Sequence, residues 1–166
     1  MTDQFRGTYT VMVTAFDTEG RLDLKAQARF TDWQVREGIH GLIPLGSTGE
    51  FLSMSPEERR DVAECVIDTV AGRVPVLIGA GAESTDDVID NVRMAEELGA
   101  DGTMIIPPFY STPTWDELIN HFGRIGDAAT RPVMIYNNPA TANVDLTPPL
   151  VAELSCLPQI DYIKES

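Results

Sequence analysis

The chain has 166 residues, 43% of them hydrophobic, which is enough to bury a core. Its 26 acidic against 12 basic side chains give a formal charge of −14. That balance argues against nucleic acid and anionic membrane as partners, since both reward clustered Lys and Arg.

Taken in chain order, short apolar runs alternate with helical patterns. Strands are expected at 8–15, 41–46, 74–81, 102–107, 133–137 and 161–165. Runs such as Leu42-Ile43-Pro44-Leu45, Val76-Leu77-Ile78 and Met104-Ile105-Ile106 show little polar alternation, as expected of parallel strands buried on both faces. The helices between them have readable starts. Ser55-Pro56-Glu57-Glu58 is a capping box with proline at the first helical position, Ser84 and Thr114 are further N-caps, and Thr147-Pro148 repeats the Ser55-Pro56 logic. One apolar stripe is expected per helix: Ala26, Phe30 and Trp33; then Val62, Val66, Thr69 and Val70; then Val88, Val92 and Ala95; then Leu118, Phe122 and Ile125. Gly38-Ile39-His40-Gly41 and Gly99-Ala100-Asp101-Gly102 form an internal repeat that closes a helix and opens a strand.

Strand-plus-helix units recurring about every 25 to 35 residues suggest a barrel or a doubly wound sheet. No GxGxxG follows the first strand, which weighs against a dinucleotide-binding fold. The glycine-rich Gly79-Ala80-Gly81-Ala82-Glu83 lacks a third glycine and a phosphate lysine, so it reads as a tight strand-to-helix turn. The acid-rich stretch 83–90 reads as a helix start favoured by the helix dipole. Cys65 and Cys156, far apart and without a CxxC pattern, read as reduced core or near-core thiols. No apolar run reaches the roughly 18 residues of a membrane helix. Met1-Thr2-Asp3-Gln4 lacks the pattern of a secretory leader, so a cytoplasmic setting is expected.

Four places carry possible chemistry. Of the two lysines, Lys25 reads as a solvated charge, whereas Lys164 ends an otherwise apolar strand. A desolvated lysine tends toward the neutral amine that attack on a ketone requires; the alternative is a rim lysine paired with Glu165. Gly46-Ser47-Thr48-Gly49-Glu50 offers backbone amides and two hydroxyls, an anion nest suited to a small carboxylate, or else a polar turn leading to Ser55. Tyr136, in Tyr136-Asn137-Asn138-Pro139, and Tyr110, after the fourth strand, are each either proton relays or wet-ended core aromatics. His40 and His121 have no partner at metal-ligand spacing and read as structural.

Together, GSTGE after strand two, Tyr-Asn-x-Pro after strand five and Tyr162-Ile163-Lys164-Glu165-Ser166 at strand six resemble the dihydrodipicolinate synthase/N-acetylneuraminate lyase family. The resemblance runs from about Gly7 to Ser166. It implies a (β/α)8 TIM barrel, of which residues 1–166 cover about the first six strands in one domain, and a homotetramer as the full-length form. It also implies a metal-free class I lyase that takes a small 2-oxo acid and needs no cofactor. By that resemblance Lys164 is the Schiff-base lysine and Tyr136 moves protons to and from the imine. Gly46, Ser47 and Thr48 hold the 2-oxo acid carboxylate, Ser47 also linking to the tyrosine, and Tyr110 matches the tyrosine lent by a neighbouring subunit. Thr141 stands where the synthase branch has an arginine for the second substrate's carboxylate. That departure favours cleavage or dehydration of a 2-keto-3-deoxy sugar acid, with condensation of pyruvate and aspartate semialdehyde as the alternative. Such a barrel typically takes about 250 residues, so the 166 residues are expected to be part of a longer chain. A non-catalytic half-barrel module and a sugar-phosphate barrel enzyme are the competing classes.

Overall fold

A computed structural model describes residues 5–166; the leader-like pattern sought in the first four residues falls outside the described residues. In chain order the elements are β1 (Tyr9–Val11), α1 (Leu24–Arg36), β2 (Gly41–Ile43), α2 (Pro56–Val70), β3 (Leu77–Gly79) and α3 (Thr85–Glu97). They continue with β4 (Gly102–Ile105), α4 (Trp115–Ala128), β5 (Val133–Asn137), α5 (Pro139–Ala142), α6 (Pro148–Leu154) and β6 (Ile160–Glu165). Every expected strand is present, and the short α5 is an addition. The strands β1 to β4 are briefer than their apolar runs because only part of each run is laddered, whereas β5 has the expected bounds and β6 starts one residue earlier.

The chain forms two compact units, one running to Gly79 and including Leu98–Asp101, the other comprising Ala80–Glu97 and Gly102–Ser166. In the first, β1 and β2 pair in parallel, with Tyr9 opposite Gly41 and Val11 opposite Ile43. The β3 segment joins β2 through a parallel bridge from Leu42 to Val76. Leu42, Leu77, Ile78, Val62 and Val66 are fully buried there, each such side chain contributing about 1.5–3 kcal/mol by leaving water.

The first helix corrects an expectation. The face α1 buries is Gln27, Thr31 and Gln34, one position round from the expected stripe, while Trp33 is 54% exposed and stacks on Phe30. Gln27 Oε1 accepts the Ala15 N–H (2.9 Å) and Thr31 donates its hydroxyl to the Gln27 carbonyl (2.9 Å), while among the described residues Gln27 Nε2 and Gln34 Nε2 are buried without a partner. A polar residue with a fixed backbone partner is tolerated inside.

In the second unit β4, β5 and β6 are parallel neighbours, packed against α3, α4 and α6. Its core contains Val88, Val92, Ile105, Phe122, Ile125, Ile135 and Leu154. The capping boxes at Ser55 and Thr114 are both formed, and Ser84 Oγ accepts the Asp87 N–H (3.1 Å). Thr147 precedes Pro148 as expected but makes no side-chain cap bond. Two consecutive prolines, Pro148 and Pro149, remove the donors of the first two helical positions. Gly38 and Gly99 take φ values of 87° and 94°, the left-handed turns expected of the internal repeat. Both cysteines are free; Cys65 is partly buried, but Cys156 is exposed, because α6 stops at Leu154 and leaves it in a surface turn.

Candidate active site

The site chemistry begins with register. At the start of the β5–β6 ladder Val133 lies opposite Ile160, and between Val133 and Met134 the pairing shifts by one residue. Had the first register continued, Tyr136 would lie opposite Ile163. The extra residue in β6 puts Lys164 there instead, and Glu165 opposite Asn137. Successive strand residues point to opposite faces, so Lys164 and Glu165 part company. The Glu165 carboxylate takes the Asn137 side-chain N–H (3.1 Å to each oxygen), so the rim pair of Lys164 with Glu165 does not form.

Lys164 instead lies over the Tyr136 ring, its Nζ 3.3 Å from the ring centroid. Its Nζ also donates to Ser166 Oγ (3.1 Å), and Ser166 Oγ donates to the Tyr136 Oη (3.4 Å). Asn138 Nδ2 donates to the same Oη at 2.9 Å. Tyr136 is 9% exposed, and Lys164 is half-buried rather than enclosed. Burial alone would raise the phenol's pKa. The hydrogen bonds from Ser166 and Lys164, the Lys164 charge and the Asn138 bond outweigh it, and the net direction is downward. An amine and a phenol of lowered pKa thus share one face, linked through a hydroxyl.

Asn137, on the other face, is buried and holds the loop that follows. Its Nδ2 also donates to Asp145 (3.0 Å), and its Oδ1 accepts the Leu146 N–H (3.0 Å). Thr141 is exposed in α5, its backbone N–H bonded to the Asn138 carbonyl.

The loop after β2 lies in the first unit. Ser47–Gly49 is a 3-10 turn in which Gly49 N–H bonds to the Gly46 carbonyl and Glu50 N–H to Ser47. Gly46 is buried, while Ser47 and Thr48 are exposed, and among the described residues their hydroxyls are unengaged. Two non-glycine residues in left-handed backbone bracket the turn: Leu45 at φ 61° and Glu50 at φ 59°. Such strain persists only where the surroundings enforce it. Here Thr14 Oγ1 donates to the Gly49 carbonyl (2.7 Å), and Gly79 lies so close that a Cβ there would meet the Leu45 carbonyl oxygen at 2.1 Å. The turn is thus held from two sides, with Ser47 and Thr48 exposed on it.

Tyr110 is 90% exposed on the loop after β4. What sequence reasoning missed is its anchor. Glu83, assigned to a helix start, stands before α3 and accepts the backbone N–H groups of Phe109 (2.6 Å) and Tyr110 (2.7 Å). Asn143 Nδ2 adds a bond to the Phe109 carbonyl (3.1 Å). Burial raises the Glu83 pKa somewhat, but the Tyr110, Phe109 and Ser111 donors lower it below the ordinary 4.5. A depressed carboxylate pKa means that anchoring is complete above the ordinary value and is lost as pH falls through the folded one. Acidification is therefore expected to shift the Phe109 and Tyr110 amide resonances together below about pH 4.5, and Glu83→Gln to abolish that titration; amides that ignore Glu83 protonation would contradict the anchor.

His121 is buried, with Nδ1 2.9 Å from Thr85 Oγ1, and burial followed by the Arg124 charge pushes its pKa down to about 4. His40 Nδ1 accepts the Thr8 N–H (3.0 Å). In each, Nδ1 bonds within the fold. Among the described residues no group of three or more His, Cys, Asp or Glu side chains is arranged to hold a metal ion, and no helix is long and apolar enough to cross a membrane.

Residues 4–166 match the Dihydrodipicolinate synthetase family profile. The chain belongs to that family. The 4-hydroxy-tetrahydrodipicolinate synthase of Cereibacter sphaeroides is 42% identical over 161 residues, which are 97% of this chain and 55% of that relative. A solved dihydrodipicolinate synthase from Acinetobacter baumannii, complexed with pyruvate, superposes with TM-score 0.96 at 31% identity over 98% of this chain and 56% of its own. YagE, a prophage protein of the dihydrodipicolinic acid synthase family from E. coli K12 in complex with pyruvate, gives 0.94 at 40% identity over 97% and 54%. The chain thus spans about half the length of the curated relatives it matches. Its six strands and their helices are the first part of the family's (β/α)8 barrel, as expected from the sequence.

Proposed function

We propose that the protein carrying this chain forms an imine between Lys164 and pyruvate, and then joins the resulting enamine to an aldehyde. The observation that carries the reading is the Lys164 amine lying against Tyr136 on adjacent strands. The Lys164 nitrogen attacks the C2 ketone of pyruvate, and the ketone oxygen leaves as water after taking up protons. The protonated imine draws electrons from C3, which loses a proton to give the enamine. C3 then bonds to the aldehyde carbon, whose oxygen is protonated, and water adds at C2 to break the C–N bond, restoring the ketone and freeing the Lys164 amine. Protons must reach the departing oxygen and leave C3, and the Tyr136 phenol beside the amine, its pKa lowered, can carry them. The lysine nitrogen is the electron sink, so the reading requires no metal or organic cofactor. The Gly46-Ser47-Thr48 turn would take the pyruvate carboxylate, and orienting the ketone can remove several kcal/mol of barrier. A homotetramer in the cytoplasm, in which Tyr110 reaches a neighbouring subunit, completes the proposal.

For the second substrate the relatives' names support 4-hydroxy-tetrahydrodipicolinate synthesis, in which the aldehyde is aspartate semialdehyde. We rank that above the sugar-acid reading that the sequence put first. Thr141 favours the second reading, because one neutral hydroxyl replaces a bidentate guanidinium. Losing a charged hydrogen bond costs about 1.5–3 kcal/mol, roughly ten- to a hundredfold in discrimination. The test compares kcat/KM for semialdehyde condensation with that for cleavage or dehydration of several 2-keto-3-deoxy acids. Condensation is expected to be the faster; efficient turnover of the sugar acids without condensation would reverse the ranking.

A further inference from the structure

Asn138 is the N-cap of α5, the position where an asparagine side chain normally accepts an N–H of the first turn. It does not do so here. The first helical residue is Pro139, which has no N–H, and the Asn138 side chain makes no cap bond. Only its backbone carbonyl serves the helix, accepting from Thr141 (3.0 Å) and Ala142 (2.9 Å). The side-chain amide turns back two residues to the Tyr136 Oη instead (2.9 Å).

The two asparagines of the motif therefore divide the work. Asn137 uses its whole side chain on Asp145, Glu165 and Leu146, which secures the loop. Asn138 makes no such structural bond, and an apolar residue of similar size would fill its place without leaving a backbone group unpaired.

We propose that Asn138 is a positioning residue for the imine chemistry: its N–H fills one lone pair of the Tyr136 oxygen, aims the phenol's own proton elsewhere and favours that proton's release. The proposal rests on the reading in which Tyr136 moves protons for Lys164. A donor to an oxygen stabilises the phenolate more than the phenol. Among the described residues the charged group against Tyr136 is the Lys164 ammonium over its ring, whereas Asp145 and Glu165 face Asn137. Asn138 thus adds to what the lysine does alone, and it continues to do so when imine formation alters the charge on Nζ.

The test follows the Tyr136 phenol directly in the full-length protein, by the ring-carbon NMR signal of labelled tyrosine, assigned by its loss in Tyr136→Phe. Asn138→Leu removes the donor, and Asn138→Asp keeps the shape but offers only acceptors. The Tyr136 midpoint is expected to rise by about one unit or more in Asn138→Leu, and further in Asn138→Asp. The matching limb of the kcat–pH profile should move alkaline with it, while KM for pyruvate changes less than about twofold. The near-isosteric aspartate variant carries the test should the leucine variant fold poorly. A midpoint unchanged or lowered in both variants would overturn the proposal. Borohydride trapping with pyruvate is run in parallel: if the wild-type protein forms no adduct, the imine reading fails, yet the phenol titration still decides what Asn138 does.

Discussion

Lys164→Ala is expected to lower kcat/KM for the 2-oxo acid by roughly 10⁵-fold or more, the scale on which an enzyme loses rate with its covalent nucleophile. No other side chain on that face of β6 can take over: Tyr162 has no amine, and Ser166 can offer only a hydroxyl. Lys164→Arg should be as inactive, because the guanidinium keeps the charge and the reach but is never the neutral amine an imine needs. Stability should change little. Lys164 is half-buried, and beyond the bond to exposed Ser166 its replacement loses the contact with the Tyr136 ring, worth about 0.5–1 kcal/mol at such a site. Steady-state kinetics beside a thermal melt check both halves. An alanine variant with more than a few per cent of wild-type turnover would remove Lys164 from the chemistry.

Tyr136→Phe should cost about 10²- to 10⁴-fold in kcat, the usual worth of a positioned acid or base. The ring fills the same buried space against Lys164, so packing persists, and only Oη is lost together with the bonds from Ser166 and Asn138. Loss of the hydroxyl slows every step in which a proton moves but leaves the amine in place. The variant should therefore still be trapped on Lys164 by borohydride, only more slowly. Near-normal turnover would return Tyr136 to a packing role.

Much of this was legible in the sequence, for identifiable reasons. The strands were readable because segments such as Val76-Leu77-Ile78 are buried on both faces and show no alternation. The caps were readable because Ser55 and Thr114 act on residues three positions away. The Lys164 and Tyr136 motifs were visible as short words, but their meeting depends on a one-residue register shift that no local pattern announces. Glu83 escaped notice because its partners lie 26 and 27 residues away and are backbone amides, which carry no side-chain signature. Asn138 carried no signal of its own; only the direction of its side chain separates it from Asn137. The face of α1 was misread because hydrophobicity placed Phe30 and Trp33 inward, whereas hydrogen bonds that reconcile Gln27 and Thr31 to burial rotate the helix by one position.

The central claim is that Lys164 becomes covalently bound to the substrate. The full-length protein is incubated with pyruvate and borohydride, digested, and its adduct located by peptide mass. A single reduced pyruvyl adduct is expected on the peptide containing Lys164, dependent on pyruvate and absent from Lys164→Ala. An adduct at Lys25, the other lysine of this chain, or no adduct with any 2-oxo acid tried, would contradict it.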